Sequence, residues 1–116
     1  MDIKSWFEEG TNLSIKELRY LNVPPLPFNL FIDDQNFRGA DKLNNIIEHN
    51  ISIEHYSETI TKDEELNEEK IIENFLNKEG IEYSKEREWL SSEKMWVTVY
   101  SFIILEKVRK EDENEW

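Results

Sequence analysis

The longest apolar run, Met95 to Leu105, is apolar or aromatic on both faces that a strand's two-residue period creates. Trp96, Tyr100, Phe102 and Ile104 fall on one face, and Met95, Val97, Val99, Ile103 and Leu105 on the other. A strand with one oily face needs a single core beneath it, whereas this one needs cover on both. A helix layer, a second sheet or another copy of the chain would each supply the second cover.

Upstream, Ile3, Trp6 and Phe7 at i, i+3, i+4 predict a short amphipathic helix over residues 2–9, with Gly10 as its terminator. The apolar cluster Leu13, Ile15, Leu18, Tyr20, Leu21 and Val23 suits a helical turn or a short strand equally. Pro24-Pro25-Leu26-Pro27 fixes an extended, rigid lead-in. Phe28 to Asp33 then reads as a strand closed by the polar turn Asp33-Asp34-Gln35-Asn36, and Phe37-Arg38-Gly39-Ala40-Asp41 as a loop. Residues 43–48 and 51–56 read as two short strands flanking a His49-Asn50 hairpin turn, with Ile51 and Ile53 on one face.

The second helix, residues 62–79, is the best-marked element. Thr61 and Glu64 have capping-box spacing, and Asp63, Glu64 and Glu65 occupy the first turn, where the helix dipole favours acids. Leu66, Ile71, Ile72, Phe75 and Leu76 form the apolar stripe, and Gly80 supplies the left-handed residue that ends it. Ile81 to Glu88 alternates as a strand with one charged face, and residues 89–94 turn the chain into the long last strand. The pattern predicts one α+β domain over residues 1–106: a mostly antiparallel sheet of about four to five strands packed with the two helices. A charged tail follows over 107–116.

At 116 residues the chain is long enough to bury roughly two thirds of its unfolded surface. With 38% hydrophobic and 12% aromatic residues it has the means to build a core despite its charge. The absence of cysteine excludes disulfides, thiol chemistry and Cys-ligated zinc. No basic segment precedes an apolar one at the start, and no apolar run approaches ~18 residues, so neither a signal peptide nor a membrane span is expected. The expected location is the cytoplasm. The charge of -12, from 26 acidic and 14 basic side chains, disfavours direct binding to DNA or RNA. It fits a solubilising surface, a wall past which nucleic acid slides without sticking, or a DNA mimic aimed at a basic protein.

Catalytic chemistry has little support. His49 and His55, six apart, match no strong metal motif and are expected to be exposed at a strand edge. No Gly-x-Ser-x-Gly and no phosphate-cradling loop occurs among only 3 glycines. Asp33-Asp34 reads as a turn and Glu64-Glu65 as a helix start, not as acid/base pairs. Trp6, Trp89 and Trp96 read as core or interface anchors, since no basic groove accompanies them. No enzyme activity, cofactor or metal is expected.

One resemblance stands out. Pro24-Pro25-Leu26-Pro27-Phe28, Asn36-Phe37-Arg38-Gly39-Ala40-Asp41, Ile53-Glu54-His55-Tyr56-Ser57-Glu58, the acidic helix and Ser92-Glu93-Lys94-Met95-Trp96 follow one another in order. The series resembles a family of small proteins encoded among the head-to-tail joining and tail genes of long-tailed phages and prophages of Gram-positive bacteria. Members read Pro-Pro-Tyr/Phe before a strand, Gly-Ala-Asp in a loop, Glu-Leu-Tyr in a strand and Glu-Ser-Glu-Lys-Met before the last strand. The match spans residues 20–106; where the family has Leu-Tyr, this chain has His55-Tyr56.

The resemblance implies a tail-terminator or tail-completion subunit of the virion. In this role α+β subunits form a homo-oligomeric ring, a hexamer in the family, that caps the tail tube and meets head-completion or connector proteins. DNA would pass through the lumen without specific binding, past walls whose acidity suits that passage. The expected contacts with neighbouring subunits or the tube are Pro24, Pro25, Pro27, Phe37, Arg38, Gly39, Asp41 and Trp96. The alternative is an acidic DNA mimic that inhibits a host nuclease or defence effector.

Overall fold

In the computed structural model, which describes residues 1–19, 21–38, 44–59 and 63–109, Asp2 caps the first helix, α1 (Ile3–Thr11). Its carboxylate accepts from the Ser5 amide at 3.1 Å and the Ser5 hydroxyl at 2.9 Å, satisfying a donor the helix leaves open. Ile3, Phe7 and Thr11 turn inward at helical spacing. The helix does not stop at Gly10 as expected. It ends where Asn12 adopts φ 62° and its N–H reaches the Glu8 carbonyl at 2.9 Å. Gly10 is instead a close-approach position, because a Cβ there would enter the ring of Phe75.

The next cluster resolves as a strand, β1 (Lys16–Glu17), with Ile15 buried beside it. Leu18, Leu21 and Val23 stay exposed. The lead-in follows, with Pro24 and Pro27 half-buried, Pro25 exposed and a cis Leu26–Pro27 bond.

Two expected turns are absent. β2 (Phe28–Arg38) runs straight through Asp33-Asp34-Gln35-Asn36, and β3 (Asn44–Ser57) runs straight through His49-Asn50. These two strands pair antiparallel with each other along their length, Phe28 opposite Tyr56 and Arg38 opposite Ile46. The local sequence suggested turns because its residues are polar. In the fold, Asp33 and His49 point to the same face and bond there, so their polarity is satisfied within the sheet.

The second helix, α2 (Asp63–Lys78), buries Ile72, Phe75 and Leu76, while Ile71 of the expected stripe is exposed and the Leu66 side chain lies outside the described residues. Its end is a Schellman motif: Ile81 N–H reaches the Leu76 carbonyl at 2.9 Å, Gly80 N–H reaches Asn77 at 3.0 Å, and Gly80 has φ 71°. The chain then forms β4 (Ser84–Leu90), turns over residues 91–94, and returns as β5 (Met95–Arg109). β5 thus extends into the stretch expected as tail; residues 110–116 lie outside the described residues.

The result is an α+β fold with strand order β1-β2-β3-β5-β4, parallel only between β1 and β2. Both helices lie on one face. Ile3, Phe7, Ile15, Ile72, Phe75 and Leu76 pack there against Phe31, Ile51, Ile53, Tyr100 and Phe102 of the sheet. Trp6 bridges the layers, 4.7 Å from Phe75 and 6.1 Å from Phe102 between ring centroids. At 1.5 Å per residue α2 is about 24 Å long, whereas β5 at ~3.4 Å per residue spans about 50 Å. The helix layer is therefore too short for the sheet, and among the described residues no element lies over the opposite face. The molecule is accordingly elongated, 57 × 29 × 21 Å.

Candidate functional site

Register assigns the open face row by row. Phe28, Tyr56, Val97 and Glu88 form one row, and Leu30, Glu54, Val99 and Glu86 the next. The third is Ile32, Ser52, Ser101 and Ser84. Asp34, Asn50 and Ile103 follow, then Asn36, Glu48 and Leu105. The first two rows are partly self-sealed. Phe28 and Tyr56 stack at 4.9 Å with 15° between rings, and Phe28, Leu30 and Val97 are buried. The Tyr56 hydroxyl donates to Glu54 at 2.7 Å; burial and that carboxylate push its ionisation far up.

Farther along, the face opens. Ile103 and Leu105 are each 57% exposed and Ile32 is 39% exposed. Between them the three serines place no bulk on the sheet, and the chain from Gly80 to Ser84 rises alongside. The product is an open depression of about 1010 Å³, lined on this face by Ile32, Asp34, Asn50, Ser52, Ser101 and Ile103 and at its side by Ile81, Glu82 and Tyr83. One local hint of it is legible along the chain: Ser101 breaks the apolar series of its own strand face.

The expected interface residues do not converge. Pro24, Pro25, Pro27 and Trp96 sit at the Phe28 end of the sheet, where Ser57 pairs with Trp96. Phe37, 76% exposed, and the backbone of Arg38 sit at the other end of β2, about 33 Å away at 3.3 Å per residue. Gly39 and Asp41 lie outside the described residues. Trp96 is half-buried, 5.4 Å from the exposed Trp89 between ring centroids, on the helix side of the sheet.

The helix side holds the charged chemistry, and it is used structurally. His49 and His55, expected to be exposed, are 1% and 0% exposed, because their strand is one continuous central β3 rather than two strands around a turn. His49 Nδ1 lies 2.9 Å from Asp33 and Nε2 2.7 Å from Glu106. Burial opposes its charge, but the bonds to Glu106 and Asp33 outweigh it and hold the imidazole's pKa above its ordinary value. His55 Nδ1 is 2.8 Å from the Asn29 side-chain oxygen, and the Asn29 amide donates to the Ser14 carbonyl at 3.2 Å. Glu69 of α2, 3% exposed, accepts from Arg87 at 2.5 Å and Thr98 at 2.9 Å and sits 3.1 Å from Lys85. Burial would raise its pKa; the bonds from Arg87, Thr98 and Lys85 outweigh that and hold it below the usual carboxylate range. Glu73 accepts from Lys85 at 2.6 Å and from the Tyr100 hydroxyl at 2.8 Å. These pairs tie α2 to β4 and β5.

Among the described residues no group of three or more His, Asp or Glu is gathered to hold a metal ion, and no helix is long and apolar enough to cross a membrane. No family model matches this chain, and no curated protein matches it.

Proposed function

We propose that the chain is a structural subunit of the head-to-tail junction of a long-tailed phage, a tail-terminator or tail-completion protein that acts as a ring. The observation that carries this reading is the second face of β5: the helices are spent on the first, and Ile103 and Leu105 remain bare on the other. Neighbouring large apolar side chains left bare on one strand face suit a contact site. The exposed Leu18, Leu21 and Val23 add a second oily surface ahead of the Pro24–Pro27 lead-in.

The edges supply a way to close a ring. β1 pairs with β2 only at Leu30 and Phe31, which leaves the outer edge of β2 from Asp33 to Arg38 without a partner strand among the described residues. β4 is the opposite edge. Joining unlike edges head to tail generates a ring when the rotation closes. Lys85, Glu86, Arg87 and Glu88 on β4 make that edge selective rather than sticky. The charge of -12 suits a wall along which DNA phosphates pass without being held.

Mass photometry and negative-stain microscopy of the purified chain, alone and mixed with phage tails, test the reading. Rings, alone or seated on tail ends, are the expected result. A chain that stays monomeric at every concentration and ignores tails overturns it. A monomer that instead binds a basic nuclease with steep salt dependence supports DNA mimicry.

A further inference from the structure

We infer that the serine-floored depression on the open face receives a basic, apolar-flanked segment of a different protein rather than a second copy of this chain. The inference rests on the assembly reading for what the partner belongs to, and on the open face for the partner's chemistry.

The shape comes from register. Ser52, Ser101 and Ser84 stand side by side on β3, β5 and β4, with Ile32 beside Ser52 on β2 and Ile103 beyond them. Three small side chains in line make a trough across the strands, and Ile81 and Tyr83 wall one side. The trough is open along its top. It therefore suits a chain segment laid across the sheet, whose apolar side chains meet Ile32 and Ile103 while hydroxyls meet its polar groups.

Charge selects the occupant. On the helix side, Glu69 and Glu73 have Arg87 and Lys85, and Asp33 and Glu106 share His49. On the open side the pattern differs. Asp34 and Glu82 line the depression and Glu86 stands in the next row, all exposed, and none has an ion pair among the described residues. Glu88 follows one row farther on. Among the described side chains, Lys107 is the exposed cation that β5 adds to this face. Two copies docked face to face would set these carboxylates against one another, a juxtaposition that rejects the pairing. Lysine or arginine flanking an apolar residue would neutralise the rim while the apolar residue fills the trough.

The test uses the full chain and two fluorescein-labelled pentapeptides, one alternating lysine with phenylalanine, the other glutamate with phenylalanine. Fluorescence anisotropy should show the basic peptide binding at least about tenfold tighter than the acidic one, with affinity falling as salt is raised. Ser101→Phe, which fills the trough floor, should abolish binding. The double variant Asp34→Asn/Glu82→Gln should weaken it about tenfold or more, whereas Glu9→Gln/Glu17→Gln, which removes two charges elsewhere, should change it less than about twofold. Equal binding of both peptides, equal effects of the two double variants, or no binding overturns the inference. Mass photometry of the same samples separates the two readings. Rings that ignore the basic peptide remove this inference alone, and peptide binding at the trough without assembly removes the ring.

Discussion

Replacing Gly10 with alanine should destabilise the protein, although alanine is the better helix former. Within α1 the substitution gains about 0.5–1 kcal/mol from reduced backbone freedom. Against that, the new Cβ enters the space of the Phe75 ring. The ring has nowhere to go: it is 7% exposed, 4.7 Å from Trp6 and 6.1 Å from Phe7 at an edge-to-face angle of 88°. Overpacking a well-filled core costs about 1–3 kcal/mol. The balance is a loss of about 1–2 kcal/mol, a fall in Tm of roughly 3–6 °C per kcal/mol for a chain of this length. Urea denaturation followed by tryptophan fluorescence and circular dichroism would measure it. The mechanism makes a second demand: in a Phe75→Leu background, where the ring is gone, Gly10→Ala should become neutral or stabilising by up to about 1 kcal/mol. An unchanged or raised urea midpoint for Gly10→Ala alone would refute the reasoning.

The His49 bridge gives a pH signature. Its folded pKa is raised, so its contribution is complete below the unfolded value of about 6.5 and is lost as pH rises through the folded value. The wild-type urea midpoint should therefore fall between neutral and alkaline pH, and His49→Gln should show less of that fall; parallel curves would contradict the assignment. Glu69 runs the other way: its lowered pKa gives stability that is present above the ordinary carboxyl value of 4.5 and lost as pH falls through the folded value. Glu69→Gln keeps the shape and removes the charge. It should cost about 1–2 kcal/mol at pH 7, discounted because Arg87 and Lys85 are about one-third exposed, and the gap from wild type should close in acid. A gap independent of pH, read by the same denaturation series, would remove the ion pair as its cause.

What the sequence made legible were elements whose causes are local. The stripe of Ile72, Phe75 and Leu76 and the Gly80 ending announced α2, and Ile3 and Phe7 announced α1. The α+β layering followed from those helices and the oily last strand. The errors arose where the cause is distant in sequence. Asp33-Asp34 and His49-Asn50 look like turns until Asp33, His49 and Glu106 are seen to meet; the first two are 16 residues apart and the last two 57. Gly10 looked like a terminator because the ring it accommodates belongs to residue 75. The serine trough was hidden for the same reason, since its three residues come from three strands and only register aligns them. The two-faced character of β5 was legible; which of its faces the helices would cover was not.

The measurement that bears most directly on the account is protection of the open face on assembly. The chain has no cysteine, so Ile103→Cys provides a single thiol on that face and Asn74→Cys, on the exposed side of α2, a single control. Maleimide should label Ile103→Cys readily in the free chain and at least about tenfold more slowly once the chain is seated on tails, with the Asn74→Cys rate unchanged. Labelling of Ile103→Cys at the same rate in both states would contradict the claim that this face is where the protein makes its contacts.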